Sequence, residues 1–353
     1  MKPGFRPLLL PSGNAETGNG ERPKTDFEEL SIALGGATVL YPPTNRAGFV
    51  GRLEARAASD LRHAGTAFLQ RGSCSGFVSL SEKVGVPLAL LLGARGGVPH
   101  VMVAHNLTSD RKRRLQRQTG YLRRFDRIVV LCREQEHYLL EEARLPAEHV
   151  LFIPDKVDHR FWNPARGEAV VSGMLPIILS VGRERRDYPT LLAAARTLPE
   201  FRFVVVSSSP WSRGDGPAAG ADLPGNVEVV NGVSWTALRN LYAESSVVVV
   251  PLMAATRYAA GVNAVLEAMA MAKPLIVSRT PGIADYIDDG VTGRFVTAAD
   301  PCALASAISE MAGDLDTARA EGRAARCVIE EGRNLDGYVS ALARIVREVM
   351  YAD

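Results

Sequence analysis

The segment AAGVNAVLEAMAMAKPLIVSRTPG, residues 259 to 282, places a glycine and an asparagine ahead of a helical pattern and then a strand-length apolar run. Val262, Val265, Leu266 and Met269 recur at three- and four-residue spacing, which predicts an amphipathic helix with Glu267 on its opening turn. A single carboxylate among alanines, leucines and methionines is costly to bury unless something binds it. The same segment ends in KPLIVS, a continuous rather than alternating apolar run, as expected of a strand covered on both faces.

Working outward, runs of that kind recur at 176–182, 202–208, 226–230 and 246–252, separated by helical patterns. The first half repeats the scheme at 6–11, 37–43, 76–81, 99–105 and 126–132, with helices expected near 48–70, 84–95 and 110–124. The reading is α/β, with two doubly wound parallel sheets. Periodicity lapses and Pro and Gly concentrate over 160–176, which gives an N-terminal domain over 1–165, a C-terminal domain over 166–335 and a final helix over 336–353 that packs back on the first domain. Residues 12–25, SGNAETGNGERPKT, read as a mobile loop after the first strand.

Composition excludes several classes. With 353 residues, 41 Lys and Arg against 39 Asp and Glu, and a net charge of +2, the chain has no overall field that would recruit nucleic acid. Cys74, Cys132, Cys302 and Cys327 lack CxxC spacing, which fits a reducing compartment and disfavours a zinc site or disulfide framework. No apolar run reaches the length of a membrane span, and the start MKPGFRPLLLPSGN is too short in apolar residues for a signal peptide, so a cytoplasmic protein is expected.

Ligands of doubly wound sheets bind outside the carboxyl ends of the strands. The strand at 177–181 runs into Gly182-Arg183-Glu184-Arg185-Arg186, where guanidinium forks suit phosphate oxygens. The amides of Gly261, Val262 and Asn263 at the head of the next helix form an anion site strengthened by the helix dipole. Helical side chains lean toward the N-terminus, so Glu267 reaches back toward that site. A diphosphate would repel it; a ribose diol would not.

Several ordered motifs together resemble the retaining glycosyltransferases of family 4. These are VMVAHN at 101–106, IPDKVDHRFWNP at 153–164, SVGRERRDYPTLLAA at 180–194 and LEAMAMAKPLIVSRTPGIADYI with DGVTGRFV behind it. The resemblance spans roughly 99–313. It implies the GT-B architecture, two Rossmann-like domains facing across a cleft, and a nucleotide-sugar donor, most often a UDP-sugar, held mainly by the C-terminal domain. It implies no metal and no cofactor. Arg183 and Arg186 would then neutralise the diphosphate, with Gly182 forming the turn; Glu267 would hold the ribose, and amides near Asn263 would cap the phosphates. His105 would approach the transferred sugar.

Two positions depart from the family pattern. The glutamate usual eight residues before the ribose-binding one is Ala259, and the glycine of the I-P-x-G-V-D motif is Lys156. Rival readings are a sugar-nucleotide epimerase of the same fold and a catalytically silent GT-B partner. Glu82, after the third strand, is an acceptor-side candidate beside a plain capping role. The acceptor itself, a small molecule, lipid or glycan, is not specified. The run SDRKRRLQRQTGYLRRFDR, 109–127, carries eight Arg or Lys and suits either a solvated face or peripheral contact with an anionic membrane, its apolar residues being essentially Leu115, Leu122 and Phe125.

Overall fold

Val-, Ile- and Leu-rich runs form twelve parallel strands in two sheets among the residues described by the computed structural model, which are 5–13, 21–44, 48–93, 97–167, 175–208 and 222–351. The first sheet contains β1 (Pro7–Leu10), β2 (Thr38–Val39), β3 (Gly76–Ser79), β4 (His100–Ala104), β5 (Arg127–Val130) and β6 (Val150–Phe152), in the order β2-β1-β3-β4-β5-β6. The second contains β7 (Ile177–Val181), β8 (Arg202–Ser208), β9 (Val227–Asn231), β10 (Val247–Val250), β11 (Leu275–Ser278) and β12 (Arg294–Val296), in the order β12-β11-β10-β7-β8-β9. Strand order reverses between β1 and β3 in one sheet and between β7 and β10 in the other. These are the switch points at which doubly wound sheets hold ligands.

Two compact units contain these sheets. The chain passes from the first to the second at Pro154–Asp155, and not at 165–166. A short segment ending at Lys24 belongs to the second unit: the Lys24 N–H donates to Asp158 (2.9 Å), and Glu21 pairs with Arg166 and Arg239. Residues 14–20 of the glycine-rich stretch, and 168–174 of the junction, lie outside the described residues. The last helix, Leu335–Tyr351, is part of the first unit, where Met350 packs on Gly76, Arg347 donates to the Ala33 carbonyl and Tyr351 stacks on Phe5 with ring centroids 4.6 Å apart.

Three helical expectations need correction. The span 48–70 is two helices, Gly48–Ala57 and Leu61–Leu69, broken where Ala58 takes a left-handed φ of 45°. The second spans Glu82–Leu92, capped by Ser81, whose hydroxyl accepts from the Lys83 N–H (3.1 Å). The third is Asp110–Thr119, ended by left-handed Gly120 and followed by a 3-10 turn over Tyr121–Arg124. β6 and β12 are three-residue edge strands, too short for the apolar pattern to announce.

Candidate functional site

At the β7/β10 switch point, three loops of the second unit converge. The turn after β7 begins at Gly182, with φ 107°, and its N–H is consumed by the Val206 carbonyl of β8 (3.0 Å). Two backbone bonds then bind this turn to the segment after β10: the Asp187 N–H donates to the Pro251 carbonyl and the Met253 N–H to the Arg185 carbonyl, each at 3.0 Å. The Tyr258 hydroxyl adds a third tie, donating to Glu184 (2.6 Å). Burial, with the acceptor Glu184, pushes the Tyr258 phenol up to about 12, so it remains a donor at any ordinary pH. The loop after β11 closes in behind. A Cβ on Gly282 would lie 2.0 Å from the Tyr258 carbonyl oxygen, so only glycine allows that approach.

Arg186 sits beneath this junction rather than on its surface. It is 6% exposed, and its guanidinium donates from Nε (3.0 Å) and Nη2 (2.8 Å) to the Val181 carbonyl and from Nη1 to the Glu184 carbonyl (2.9 Å). A Cβ on Gly182 would come 2.3 Å from Nη2, and one on Gly261 3.2 Å from Nη1. The guanidinium therefore lies directly under both turns. Burial lowers its pKa, while Tyr188, Tyr242, Glu184 and Glu267 oppose that shift. Sequence reading makes Arg186 a free fork for phosphate. The structure commits three of its five N–H groups to backbone, leaving a fixed positive charge that holds the turn in shape. Arg183 is the half-buried cation of the same turn. Tyr188 completes the support by donating to the Gly182 carbonyl.

The helix after β10 spans Val262–Ala270, with Gly261 as its N-cap at φ 86°. It is buried on nearly every face, only Asn263 being exposed, so the expected amphipathic helix is corrected to an almost wholly buried one. No side chain caps its start. The Val262 N–H turns back to the Ala259 carbonyl (3.3 Å), whereas those of Gly261 and Asn263 have no partner among the described residues. Two of the three amides expected at an anion site are thus available, at the positive end of a helix enclosed in low dielectric. Ala259 itself is buried.

Glu267 lies on the second turn of this helix and is 6% exposed. Its Oε2 accepts from the Tyr242 hydroxyl (2.8 Å); Oε1 takes no hydrogen bond from the described residues. Desolvation raises the carboxyl to about 8, against the opposing influence of Tyr242 and Arg186. Tyr242 is fully buried on the helix Trp235–Glu244, and its phenol is raised well above the ordinary value by burial and by the neighbouring carboxylate.

In the first unit, His105 follows β4. Its ring Nε2 donates to the Leu80 carbonyl (3.1 Å), and its backbone N–H donates to Glu82 Oε2 (3.0 Å). Gln135 fixes the same turn by donating to the His105 carbonyl (3.1 Å) and accepting from the Leu107 N–H (2.7 Å). Glu82 is buried, with Lys112 Nζ on its other oxygen at 2.8 Å. Burial favours its neutral form, but Lys112 and His105 outweigh this and hold the carboxyl below its usual range. Both oxygens are therefore engaged within the protein. Glu82, an acceptor-side candidate beside a capping role in the sequence, holds the His105 turn through these bonds, and Ser81 supplies the side-chain cap of the helix.

The second unit thus brings together Gly182, Arg183, Arg186, Gly261, Asn263 and Glu267, and the first unit separately brings His105 together with Glu82. Tyr188, Tyr242 and Tyr258 were missed. Asp187 was legible in principle: Asp-Tyr-Pro-Thr announces a helix start, and Asp187 accepts from the Thr190 N–H (3.2 Å).

Comparison with known proteins finds relatives in sequence and in fold. Residues 176–314 match the family model described as Glycosyl transferases group 1. The chain is similar to the alpha-maltose-1-phosphate synthase of Mycolicibacterium smegmatis, with 26% identity over 66% of this chain and 69% of that protein. It is also similar to the D-inositol 3-phosphate glycosyltransferase of Streptomyces scabiei, with 24% identity over 77% of this chain and 65% of that one. Among solved structures, sucrose-phosphate synthase from Thermosynechococcus elongatus superposes with a TM-score of 0.78 at 21% identity, covering 99% of this chain and 100% of that one. Anabaena HepE in complex with UDP-glucose gives 0.75 at 14% identity, covering 98% and 100%. The chain thus has two Rossmann-like units in the GT-B fold of these solved structures, and its second unit carries the match to the Glycosyl transferases group 1 model.

Proposed function

We propose that the protein transfers a sugar from a nucleotide-sugar donor, with retention of anomeric configuration and without a metal ion. The observation that carries this reading is the meeting, at the β7/β10 switch point, of an arginine-bearing glycine turn, an uncapped helix N-terminus and the carboxylate of Glu267. Heterolysis of the anomeric C–O bond puts negative charge on the leaving diphosphate. Arg183, the fixed charge of Arg186 and the amides of Gly261 and Asn263 stabilise that charge as it develops. Glu267 holds the ribose through Oε1. His105 keeps its assigned role toward the transferred sugar on the strength of the resemblance.

A UDP-sugar is the first donor to test, since HepE was crystallised with UDP-glucose. A panel of UDP-, GDP- and TDP-sugars, screened by thermal stabilisation and then by slow donor hydrolysis, decides the matter. Binding with hydrolysis to a retained anomer supports transfer. Binding without turnover supports a silent partner, a reading favoured by Ala259, and an epimerised sugar supports an isomerase.

Two further expectations belong to this reading. Because protein cations and amides are assigned to the diphosphate, activity should be unchanged in EDTA; abolition restored by magnesium or manganese would overturn the assignment. In the 109–127 stretch, Arg111, Arg114, Arg117 and Arg123 are exposed while Leu122 and Phe125 lie in the core. Contact with anionic lipid would then be electrostatic, at about 1 kcal/mol per cation near the surface. The protein should co-sediment with anionic but not neutral vesicles and be released by salt; no sedimentation at low ionic strength removes the proposal.

A further inference from the structure

We infer that Tyr242 is a positioning residue for donor recognition: its hydroxyl holds Glu267 Oε2 so that Oε1 is presented to the ribose. The inference rests on the donor-site reading given above.

The geometry is specific. Tyr242 is fully buried, and its O–H, 2.8 Å from Oε2, is the side-chain hydrogen bond made to Glu267 among the described residues. A carboxylate on a helix has several rotamers and a broad terminal torsion, so a further contact is needed to fix which way each oxygen faces. The fixed hydroxyl supplies it. Tyr242 is in turn immobilised from three directions. Its ring meets Trp162 edge to face at 5.5 Å, its carbonyl accepts from the Ser245 hydroxyl (2.9 Å), and Lys273 Nζ closes the end of its helix on the carbonyls of Ala243 (2.6 Å) and Ser245 (3.0 Å). Lys273 follows the helix that carries Glu267, so one ammonium ties the element holding the hydroxyl to the element holding the carboxylate. Arg186 is the cation that influences both groups.

A tyrosine present only to fill the core would do equally well as phenylalanine; one that aims a carboxylate would not. Tyr242→Phe keeps the ring against Trp162 and removes the hydroxyl alone. The experiment is calorimetric titration of the wild type and of Tyr242→Phe, each with and without Glu267→Gln, using UDP and 2′-deoxy-UDP, alongside kcat and KM for the donor sugar. The wild type should prefer UDP about tenfold, on the scale of one hydrogen bond to a charged group. Tyr242→Phe should reduce that preference to within about threefold and raise donor KM while leaving kcat at saturation within about twofold. In the Glu267→Gln background, where no charge needs aiming, adding Tyr242→Phe should not change the preference further. An undiminished ribose preference in Tyr242→Phe, or an equal drop caused by it in the Glu267→Gln background, overturns the positioning role and leaves the donor site intact. A wild type that binds no nucleotide overturns the donor-site reading itself.

Discussion

Arg186→Ala should lower turnover by about a hundredfold and also lower the melting temperature markedly, whereas Arg183→Ala should cause a similar turnover loss with little thermal change. Sequence position alone would assign the two arginines one common effect, and the structure separates them. Arg186 fills the space under Gly182 and Gly261 and satisfies the Val181 and Glu184 carbonyls. Truncating it leaves those acceptors unpaired, opens a cavity below both turns and strips Glu267 of a stabilising cation. Losing one member of a buried charged network costs about 3–5 kcal/mol, which at about 2–4 °C per kcal/mol is a shift on the order of 10 °C. The turnover loss follows the usual scale for removing a transition-state donor. Arg186→Lys should recover little of either property, because an ammonium cannot fork onto Val181 while also reaching Glu184. Differential scanning fluorimetry beside initial rates checks both. An Arg186→Ala protein that melts like wild type and turns over normally would show that the buried guanidinium serves neither the turn nor the diphosphate.

The fold was largely legible because parallel strands covered on both faces leave uninterrupted Val and Ile runs, and glycine-rich turns mark their ends. The site residues that contact ligand in the proposed reading were legible for a related reason. They sit in short motifs beside strand ends, where a turn, a helix start or a close backbone approach restricts the residue type. Their supports were not. Tyr242 and Tyr188 reach Glu267 and Gly182 from other elements, and nothing in LRNLYAESS distinguishes a hydroxyl aimed at a carboxylate from an ordinary core ring. The same limitation made Glu82 and Arg186 look solvent-facing. A charged residue next to a strand end reads as available, and only packing shows that Lys112 and the His105 amide already hold one, and backbone carbonyls the other. Boundaries shifted where the chain runs in turns, as at 154–165, because no periodicity marks a crossing between units.

Glu267→Gln should weaken nucleotide binding while making the protein more stable above neutral pH. Burial raises this carboxyl to about 8, from the 4.5 it has when solvated, so between those values the folded protein holds a proton that the unfolded chain releases. The sign follows from linkage: where the folded state binds more protons, stability falls as pH rises, so the contribution of Glu267 is intact below about 4.5 and has been lost once pH passes about 8. At about 1.4 kcal/mol per unit, the full loss is several kcal/mol, and Gln removes it. The variant should therefore melt close to wild type at pH 5 and clearly above it at pH 8.5. Binding runs the other way. Ribose hydroxyls donate best to the ionised carboxylate, so UDP affinity should rise toward pH 8 in the wild type, and binding at pH 7 should release a proton, visible as a buffer-dependent heat. Glu267→Gln should abolish both the pH dependence and the proton release and weaken UDP by roughly ten- to a hundredfold, with kcat at saturating donor changed much less because the bonds exist in ground and transition state alike. A 2′-deoxy donor, already lacking one hydroxyl, should lose less on the same substitution. If Gln destabilises the protein at every pH and penalises ribo- and deoxyribonucleotides equally, Glu267 is a structural residue of the helix. If it stabilises the protein at high pH while selectively weakening the ribonucleotide, the carboxylate is kept buried, at a cost to the fold, for the ligand it holds.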